Sequence, residues 1–227
     1  MNREHTDRKY AYELRVLRQR LLLMAGRVEQ MIKLAVEAVV NQDVDLARAT
    51  IQLDRQVNRD EIETDGLCLL ILAKRQPLAT DLRFITLALK MVTDLERIGD
   101  LAVNICERAI DLGTDPPIKP YIDIPRMAEI TQSMIHDSVD AFVAGDAEKA
   151  QQVIDRDDEV DDLYRKVFDE LVDIMRRDES KLERGIQVQA VAKLLERLAD
   201  HCTNLAEQVI FLVKGEDVRH LGKLGKQ

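Results

Sequence analysis

Apolar residues recur at spacings of three and four along most of the chain, which is the period of one face of an α-helix. The clearest stripe has eight apolar residues at alternating spacings of four and three: Phe84, Ala88, Met91, Leu95, Ile98, Ala102, Ile105 and Ala109. Such heptad-like stripes are typical of helices packed in bundles. No segment alternates apolar and polar residues as a strand does. The pattern therefore predicts an all-α protein.

Turn residues and prolines divide the pattern into six helices. Four of the five prolines fall within ten residues, at Pro116, Pro117, Pro120 and Pro125, and predict a linker. Three helices are predicted before the linker and three after it, at about 8–40, 44–74, 78–112, 126–143, 147–177 and 181–214. The predicted organisation is one three-helix bundle in 1–112, the linker in 113–125, a second three-helix bundle in 126–215 and a C-terminal tail in 216–227.

The two bundles also share sequence. The segment LERIGDLAVNICERAI, which begins at Leu95, aligns with LERLADHCTNLAEQVI, which begins at Leu195, and seven residues coincide. Most of the shared residues are charged or Asn, whereas a chance match of two amphipathic helices would concentrate at apolar positions. We therefore expect that the chain arose by duplication and that the bundles are homologous.

Acidic residues replace apolar ones half-way along a face of the third helix. The stripe Ile85, Leu89 and Val92 continues at helical spacing into Glu96 and Asp100. Like charges four residues apart repel each other on a helix. The same pair recurs in the second bundle as Glu196 and Asp200.

Acidic and amide side chains of neighbouring helices are expected to meet. Asp54 lies 22 residues before Gln76 and Asp100 lies 24 after it, so the two antiparallel helices bring these residues to within about one turn of each other. The predicted ligand residues are Asp54, Asn58, Glu61, Glu96, Asp100, Asn104 and Glu107 in the first bundle, and Asp157, Asp161, Glu196, Asp200, Asn204 and Glu207 in the second.

Converging carboxylates either share protons or hold a cation that removes their repulsion. Because all the donors are oxygens, the favoured ions are iron, manganese or magnesium in a divalent or trivalent state. Zinc is possible but less favoured, because the site has no His or Cys ligand. The alternative is that the acids are surface residues paired with Arg97, Arg197 and other bases. No nucleophile–base pair, phosphate-binding glycine loop or Glu-x-x-His motif indicates catalysis.

Composition narrows the classes of partner. With 42 acidic and 33 basic residues the formal net charge is −9, which argues against nucleic-acid binding. Three cysteines without a CxxC motif and a polar start after Met1 favour a reduced cytoplasmic setting. The longest apolar run, 67–73, is too short to cross a bilayer, so any membrane association is expected to be indirect.

Four motifs make the chain resemble the PhoU family of phosphate-transport regulators: Arg75-Gln76-Pro77, Asp81-Leu82-Arg83, LERIGD from Leu95 and LERLAD from Leu195. The resemblance implies two three-helix bundles and a cytoplasmic homodimer. It also implies metal-cluster motifs, which fall on Glu96 with Asp100, on Glu196 with Asp200 and on the opposing Asp157 with Asp161. Asn58 departs from the acidic pattern and leaves the first site one charge short.

The function implied by this resemblance is negative regulation of phosphate uptake and of phosphate-starvation signalling. The chain would act as an adaptor between the ATPase subunit of the high-affinity phosphate ABC transporter and the phosphate sensor histidine kinase. Arg83 is a candidate contact with a partner, and its alternative role is a local ion pair with Asp81. The alternative function is a carboxylate-bridged metalloenzyme on a helical bundle. His201 is expected to be packed or to face a partner, and Gly99 to mark a close approach of helices.

Overall fold

The computed structural model describes residues 2–113 and 116–215, with side chains from residue 8 onward. This part of the chain is built from helices and contains no strand, as predicted. The helices are α1 (Asn2–Asn41), α2 (Val44–Arg75), α3 (Ala79–Leu112), α4 (Asp123–Ala144), α5 (Ala147–Asp155), α6 (Asp157–Arg177) and α7 (Leu182–Lys214), with a short 3-10 turn at Glu179–Lys181.

The tight connections have the capping residues that their sequence indicates. The Asp43 carboxylate accepts a hydrogen bond from the Leu46 amide at 2.8 Å at the start of α2. At the corresponding place in the second bundle, Asp146 accepts from the amides of Glu148 and Lys149, both at 3.0 Å. Gly145 ends α4 in the left-handed region, with a φ of 69°, where glycine carries no Cβ penalty.

The start of α4 lies earlier than predicted. The helix begins at Asp123 rather than near Arg126, so the last three residues of the predicted linker belong to it. Pro125 occupies the first helical turn, where a missing backbone N–H breaks no intrahelical hydrogen bond. Pro125 therefore indicates that a helix begins nearby, but the proline lies inside the first turn and not before the helix. The predicted tail, 216–227, lies outside the described residues.

The predicted fifth helix is interrupted. It consists of α5 and α6, which meet at Arg156. The Arg156 guanidinium donates to an Asp137 carboxylate oxygen on α4 at 3.0 Å, so the side chain at the interruption is tied to the neighbouring helix. The corresponding position of the continuous helix α2 is Leu53. The interruption makes Asp157 the first residue of α6.

The bundles pack side by side through their first and third helices. Helix α3 lies against α7 and α1 lies against α4, while α2 on one side and α5 with α6 on the other form the outer layers. The Phe84 ring of α3 stacks on the Phe142 ring of α4 with centroids 4.8 Å apart. Buried side chains form one continuous core through both bundles. None of the described helices is both long enough and apolar enough to cross a membrane.

Candidate functional site

Acidic side chains of α2 and α3 meet along one face of the first bundle. We call this group the first acidic cluster; its members are Asp54, Asn58, Glu61 and Asp65 of α2 with Glu96 and Asp100 of α3. The two helices approach closely here. A Cβ on Gly99 would lie 3.3 Å from Val57 Cγ1 and 3.7 Å from Asp54 Oδ1, which confirms the role expected for this glycine.

Several oxygens of this cluster are buried without a hydrogen-bond partner. The Asn58 Nδ2 group donates to Asp54 Oδ2 at 2.8 Å, and this bond uses one oxygen of the carboxylate. Asp54 Oδ1, Asn58 Oδ1 and Asp65 Oδ1 accept no hydrogen bond from the described residues. Buried acceptors normally have a partner, so these three atoms are candidates for an additional ligand.

Burial and mutual repulsion raise the pKa values of the acids in the first acidic cluster. The pKa of Asp54 is raised mainly by burial and then by the charge of Asp100, against the opposing hydrogen bond from Asn58. Burial is also the main cause of the raised pKa of Glu61, with Asp65 and Asp100 adding to it. Glu96 has a raised pKa for the same reasons, and Arg97 offsets only part of it. The cluster therefore favours protonation or cation binding over full ionisation.

The second bundle contains a corresponding group, the second acidic cluster, formed by Asp157, Asp158 and Asp161 of α6 with Glu196 and Asp200 of α7. Burial raises the pKa of Asp157 to about 7, and the charges of Asp200, Asp161, Asp158 and Glu196 contribute in that order. The predicted register between the helices is therefore present in both bundles.

Basic side chains enter the second acidic cluster. Lys193 Nζ donates to Glu196 Oε1 at 2.6 Å, while Glu196 Oε2 is buried without a hydrogen-bond partner in the described chain. Arg165 pairs with Asp161 at 3.1 Å. Some acids of this bundle are therefore paired with bases, as the alternative interpretation of the acidic residues predicts. The bases are Lys193 and Arg165, one turn away on the same helices.

Four predicted residues lie away from these meeting points. Asn104 and Glu107 line an open groove of about 370 Å³ between α3 and α7, together with Arg108, Lys193 and Arg197. Asn204 is exposed on α7, and Glu207 is half-buried two turns beyond Asp200. The structure therefore places the predicted residues of α2 next to Glu96 and Asp100, and those of α6 next to Glu196 and Asp200. Asn104, Glu107, Asn204 and Glu207 lie outside both clusters.

The donor chemistry suits a hard cation, but the acids do not converge on a single point. Over residues 2–113 and 116–215, no three Asp, Glu, His or Cys side chains are gathered closely enough to hold a metal ion. The buried unpartnered oxygens of Asp54, Asn58, Asp65 and Glu196 are the atoms that fit such an ion. Metal binding by the predicted residues stays a prediction.

Sequence reasoning missed two members of the clusters. Asp65 lies four residues after Glu61 on the same face of α2, so the spacing rule that found Asp54, Asn58 and Glu61 would also have found it. Asp158 adds its charge to Asp157 from the next position of α6. Asp158 directly follows Asp157, and the spacing rule considers only residues three and four positions apart.

His201 is packed between the bundles, one of the two roles expected for it. Its Nδ1 lies 3.3 Å from Asp94 Oδ1 of α3, and Gln208 Nε2 donates to the other Asp94 oxygen at 3.0 Å.

Arg83 does not have the alternative role of a local ion pair. The Asp81 carboxylate accepts a hydrogen bond from the Tyr10 hydroxyl at 2.8 Å, and Arg83 is exposed and forms no ion pair with Asp81 in the described structure.

Comparisons with known proteins agree with the duplicated architecture. A family model, the PhoU domain, matches twice, at residues 21–109 and 124–209. The chain is 39% identical to the phosphate-specific transport system accessory protein PhoU homolog of Pseudomonas putida over 221 residues, which are 96% of this chain and 86% of that protein.

Two crystal structures show the same fold. PhoU from Pseudomonas aeruginosa is 38% identical, with a TM-score of 0.86 over 91% of this chain and 100% of the other. The phosphate transport system regulatory protein PhoU from Streptococcus pneumoniae is 27% identical, with a TM-score of 0.85 over 92% and 99%. Because both halves match the family model and the relatives span nearly the whole chain, this protein belongs to the PhoU family.

Proposed function

We propose that this chain is an accessory regulator of a phosphate-specific transport system. The observation that carries the proposal is the match of both bundles to the PhoU domain. It is supported by relatives such as the Escherichia coli accessory protein PhoU, 34% identical over 96% of this chain. The proposal assigns the chain no catalytic step, in keeping with relatives described as accessory or regulatory proteins.

The finer proposal is an adaptor that restrains phosphate uptake and phosphate-starvation signalling when phosphate is plentiful. It would contact the ATPase subunit of the phosphate ABC transporter and the sensor histidine kinase, as a homodimer in the cytoplasm. Its surface offers exposed charged positions for such contacts, among them Arg83. Charges at an interface set the rate and specificity of encounter more than they set affinity.

The acidic clusters are proposed to bind iron, manganese or magnesium. Asp54, Asn58 and Asp100 in the first bundle, and Asp157, Glu196 and Asp200 in the second, would hold the ion through oxygen atoms. A bound cation would offset the burial and the repulsion that together raise the pKa of Asp157, and it would satisfy the buried oxygens. Such an ion would tie the outer helix of each bundle to the inner helix that contacts the other bundle.

A reporter of a phosphate-starvation promoter tests the regulatory proposal. Deleting the gene should leave the reporter on in phosphate-rich medium, and the wild-type chain should switch it off again. Arg83→Glu should restore it only in part if Arg83 contacts a partner. A reporter that stays silent in the deletion strain would contradict the regulatory function, whereas full complementation by Arg83→Glu would remove only that residue from the proposed interface.

A further inference from the structure

One end of the molecule is strongly basic although the chain as a whole is acidic. Residues 8–20 of α1 and residues 74–83, which join α2 to α3, carry eight basic and two acidic side chains, a net charge of +6. We call these two segments the basic end. The formal charge of the whole chain is −9, so the rest of the protein carries a large acidic surplus.

Contacts between the two segments bring the basic residues together. Arg75 donates two hydrogen bonds to Glu13, at 2.7 and 2.9 Å. The pKa of Glu13 is lowered first by these bonds and further by the charges of Lys9 and Lys74, so both ammonium groups lie near it. Tyr10 donates to Asp81 across the same boundary. Both acids of the basic end are thus engaged internally, while the five cations Arg8, Lys9, Arg15, Lys74 and Arg83 are exposed.

Apolar side chains protrude among these cations. Leu78, just before α3, is 81% exposed, and Tyr12 and Leu82 are 56% and 40% exposed. Arg15 lies over the Tyr12 ring, 5.3 Å from its centroid. Leu78 stands at the convex tip of a helical hairpin rather than in a flat patch. An apolar tip ringed by Lys and Arg is the arrangement by which proteins attach to the headgroup region of an anionic bilayer.

We propose that the basic end binds directly to a membrane surface rich in anionic lipid headgroups, with Leu78 entering the interface. The lipid surface is favoured over a protein partner because the most exposed apolar residue, Leu78, protrudes from a convex tip, whereas hot spots of protein interfaces lie in well-packed pockets and rarely use Leu. The contact goes beyond the proposed regulatory function and does not depend on it.

The acidic body does not cancel this attraction. Asp65, the nearest acid of the first acidic cluster on α2, lies 10 residues from Arg75, or about 15 Å along the helix at 1.5 Å per residue. Glu63, two residues further from the tip, is paired with Arg20 at 2.8 Å. The screening length at physiological ionic strength is about 8 Å. A membrane at the tip therefore meets the local charge of the basic end rather than the net charge of the chain.

The opposite tip of the molecule provides a matched control. Residues 177–186, which join α6 to α7, correspond to 74–83 in the duplication and also expose apolar side chains, Leu182 and Ile186. They carry three basic and three acidic side chains. The opposite tip therefore has the same hairpin shape without a positive surplus.

Vesicle co-sedimentation of the full chain tests the proposal. The wild type should sediment with vesicles of phosphatidylcholine and phosphatidylglycerol in equal amounts, should stay in solution with phosphatidylcholine alone, and should be released by high salt. The double variant Lys74→Glu with Arg83→Glu should lose about tenfold or more in partition, because each reversal replaces an attraction by a repulsion. Leu78→Ser, at a position too exposed to affect folding, should lose severalfold.

The control is the double variant Arg176→Glu with Arg177→Glu, which makes the same change of net charge in the last turn of α6, where the opposite tip begins. It should bind anionic vesicles within about twofold of the wild type, because those positions are many screening lengths from the basic end. Equal loss in the two double variants, or no sedimentation of the wild type with anionic vesicles, overturns the proposal. Loss of regulation in Lys74→Glu with Arg83→Glu without any wild-type vesicle binding would assign the basic end to a protein partner instead.

Discussion

The two acidic clusters occupy corresponding places in the two bundles and differ in the partners of one carboxyl group, Asp54 in the first and Asp157 in the second. In the first, helix α2 is continuous and Asn58 donates to Asp54, the counterpart of Asp157. In the second, Asp157 is the first residue of α6, and burial followed by the charges of the neighbouring acids raises its pKa to about 7. The same helix-to-helix register can therefore give a partly buried carboxyl group a hydrogen-bond donor in one bundle and a set of like charges in the other.

The scaffolds beneath the clusters are expected to be equivalent, and this is the largest effect we predict. Ile98 and Leu198 are counterparts and both are fully buried. Ile98→Ala and Leu198→Ala should each lower the free energy of unfolding by about 2–5 kcal/mol, through lost burial and the cavity left behind. Urea denaturation measures both variants. If the free energy of unfolding fell by less than about 1 kcal/mol in only one of the two variants, the bundles would not contribute equally to cooperative unfolding.

The next largest effect is expected on metal affinity, in which the two clusters should differ. Asp100→Ala and Asp200→Ala should each reduce metal affinity by about 10–100-fold, since each change removes a ligand and a charge while the remaining acids still repel. The loss should be clearer for Asp200→Ala, because its cluster has Asp161 where the first has Asn58. Elemental analysis and metal titration provide the measurement, with Arg48→Ala, an exposed position of α2 outside both clusters, as the control. Unchanged metal content in the double variant would reduce the clusters to surface acids.

The raised pKa of Asp157 should make the free energy of unfolding depend on pH. Its pKa, about 7, is above the ordinary value of 3.8, so the folded state binds the proton more tightly than the unfolded state does. The contribution of this group is therefore favourable at low pH and is lost as pH rises from about 4 to 7. After discounting for solvent screening, Asp157→Asn should raise the free energy of unfolding by about 1–2 kcal/mol at pH 8 and not at pH 4.

The matched control for this prediction is Asp54→Asn, which removes the corresponding carboxylate of the first acidic cluster. Its pKa is also raised, mainly by burial, but the Asn58 hydrogen bond to the ionised form opposes the rise. The gain at pH 8 should therefore be smaller. Both variants are measured by urea denaturation with a chelator present, so that metal does not mask the repulsion. An equal gain at pH 4 and pH 8 for Asp157→Asn would be inconsistent with the repulsion described.

Sequence periodicity predicted the helices and the meeting of Asp54 with Asp100 and of Asp157 with Asp200, because equal numbers of residues from a hairpin tip give equal rise. It did not place Asn104. Each step of four residues turns about 40° around a helix, so Glu96 and Asn104 differ by about 80° and face different neighbours. Asn104 accordingly lies towards α7 instead of α2.

The interruption at Arg156 could not be predicted either. Asp155, Asp157 and Asp158 around it have low helix propensity, which only weakens a helix, and the side chain at the break is tied to Asp137, nineteen residues earlier on another helix. Which helix packs beside Arg156 is a tertiary fact that local periodicity does not contain. Asp157 and Asp158, which belong to the second acidic cluster, directly follow this interruption.

The smallest effect we predict comes from converting one cluster towards the other. Asn58→Asp replaces the hydrogen bond to Asp54 by a like-charge pair four residues apart, so it should lower the free energy of unfolding by about 1 kcal/mol in the presence of a chelator. If the first acidic cluster is a cation site one charge short, saturating manganese or magnesium should reverse this loss and bind more tightly than in the wild type. Asn204→Asp, at an exposed position outside both clusters, is the control and should change neither quantity. A loss in Asn58→Asp that metal does not reverse would show that the first acidic cluster is built around the Asn58 hydrogen bond rather than around a cation.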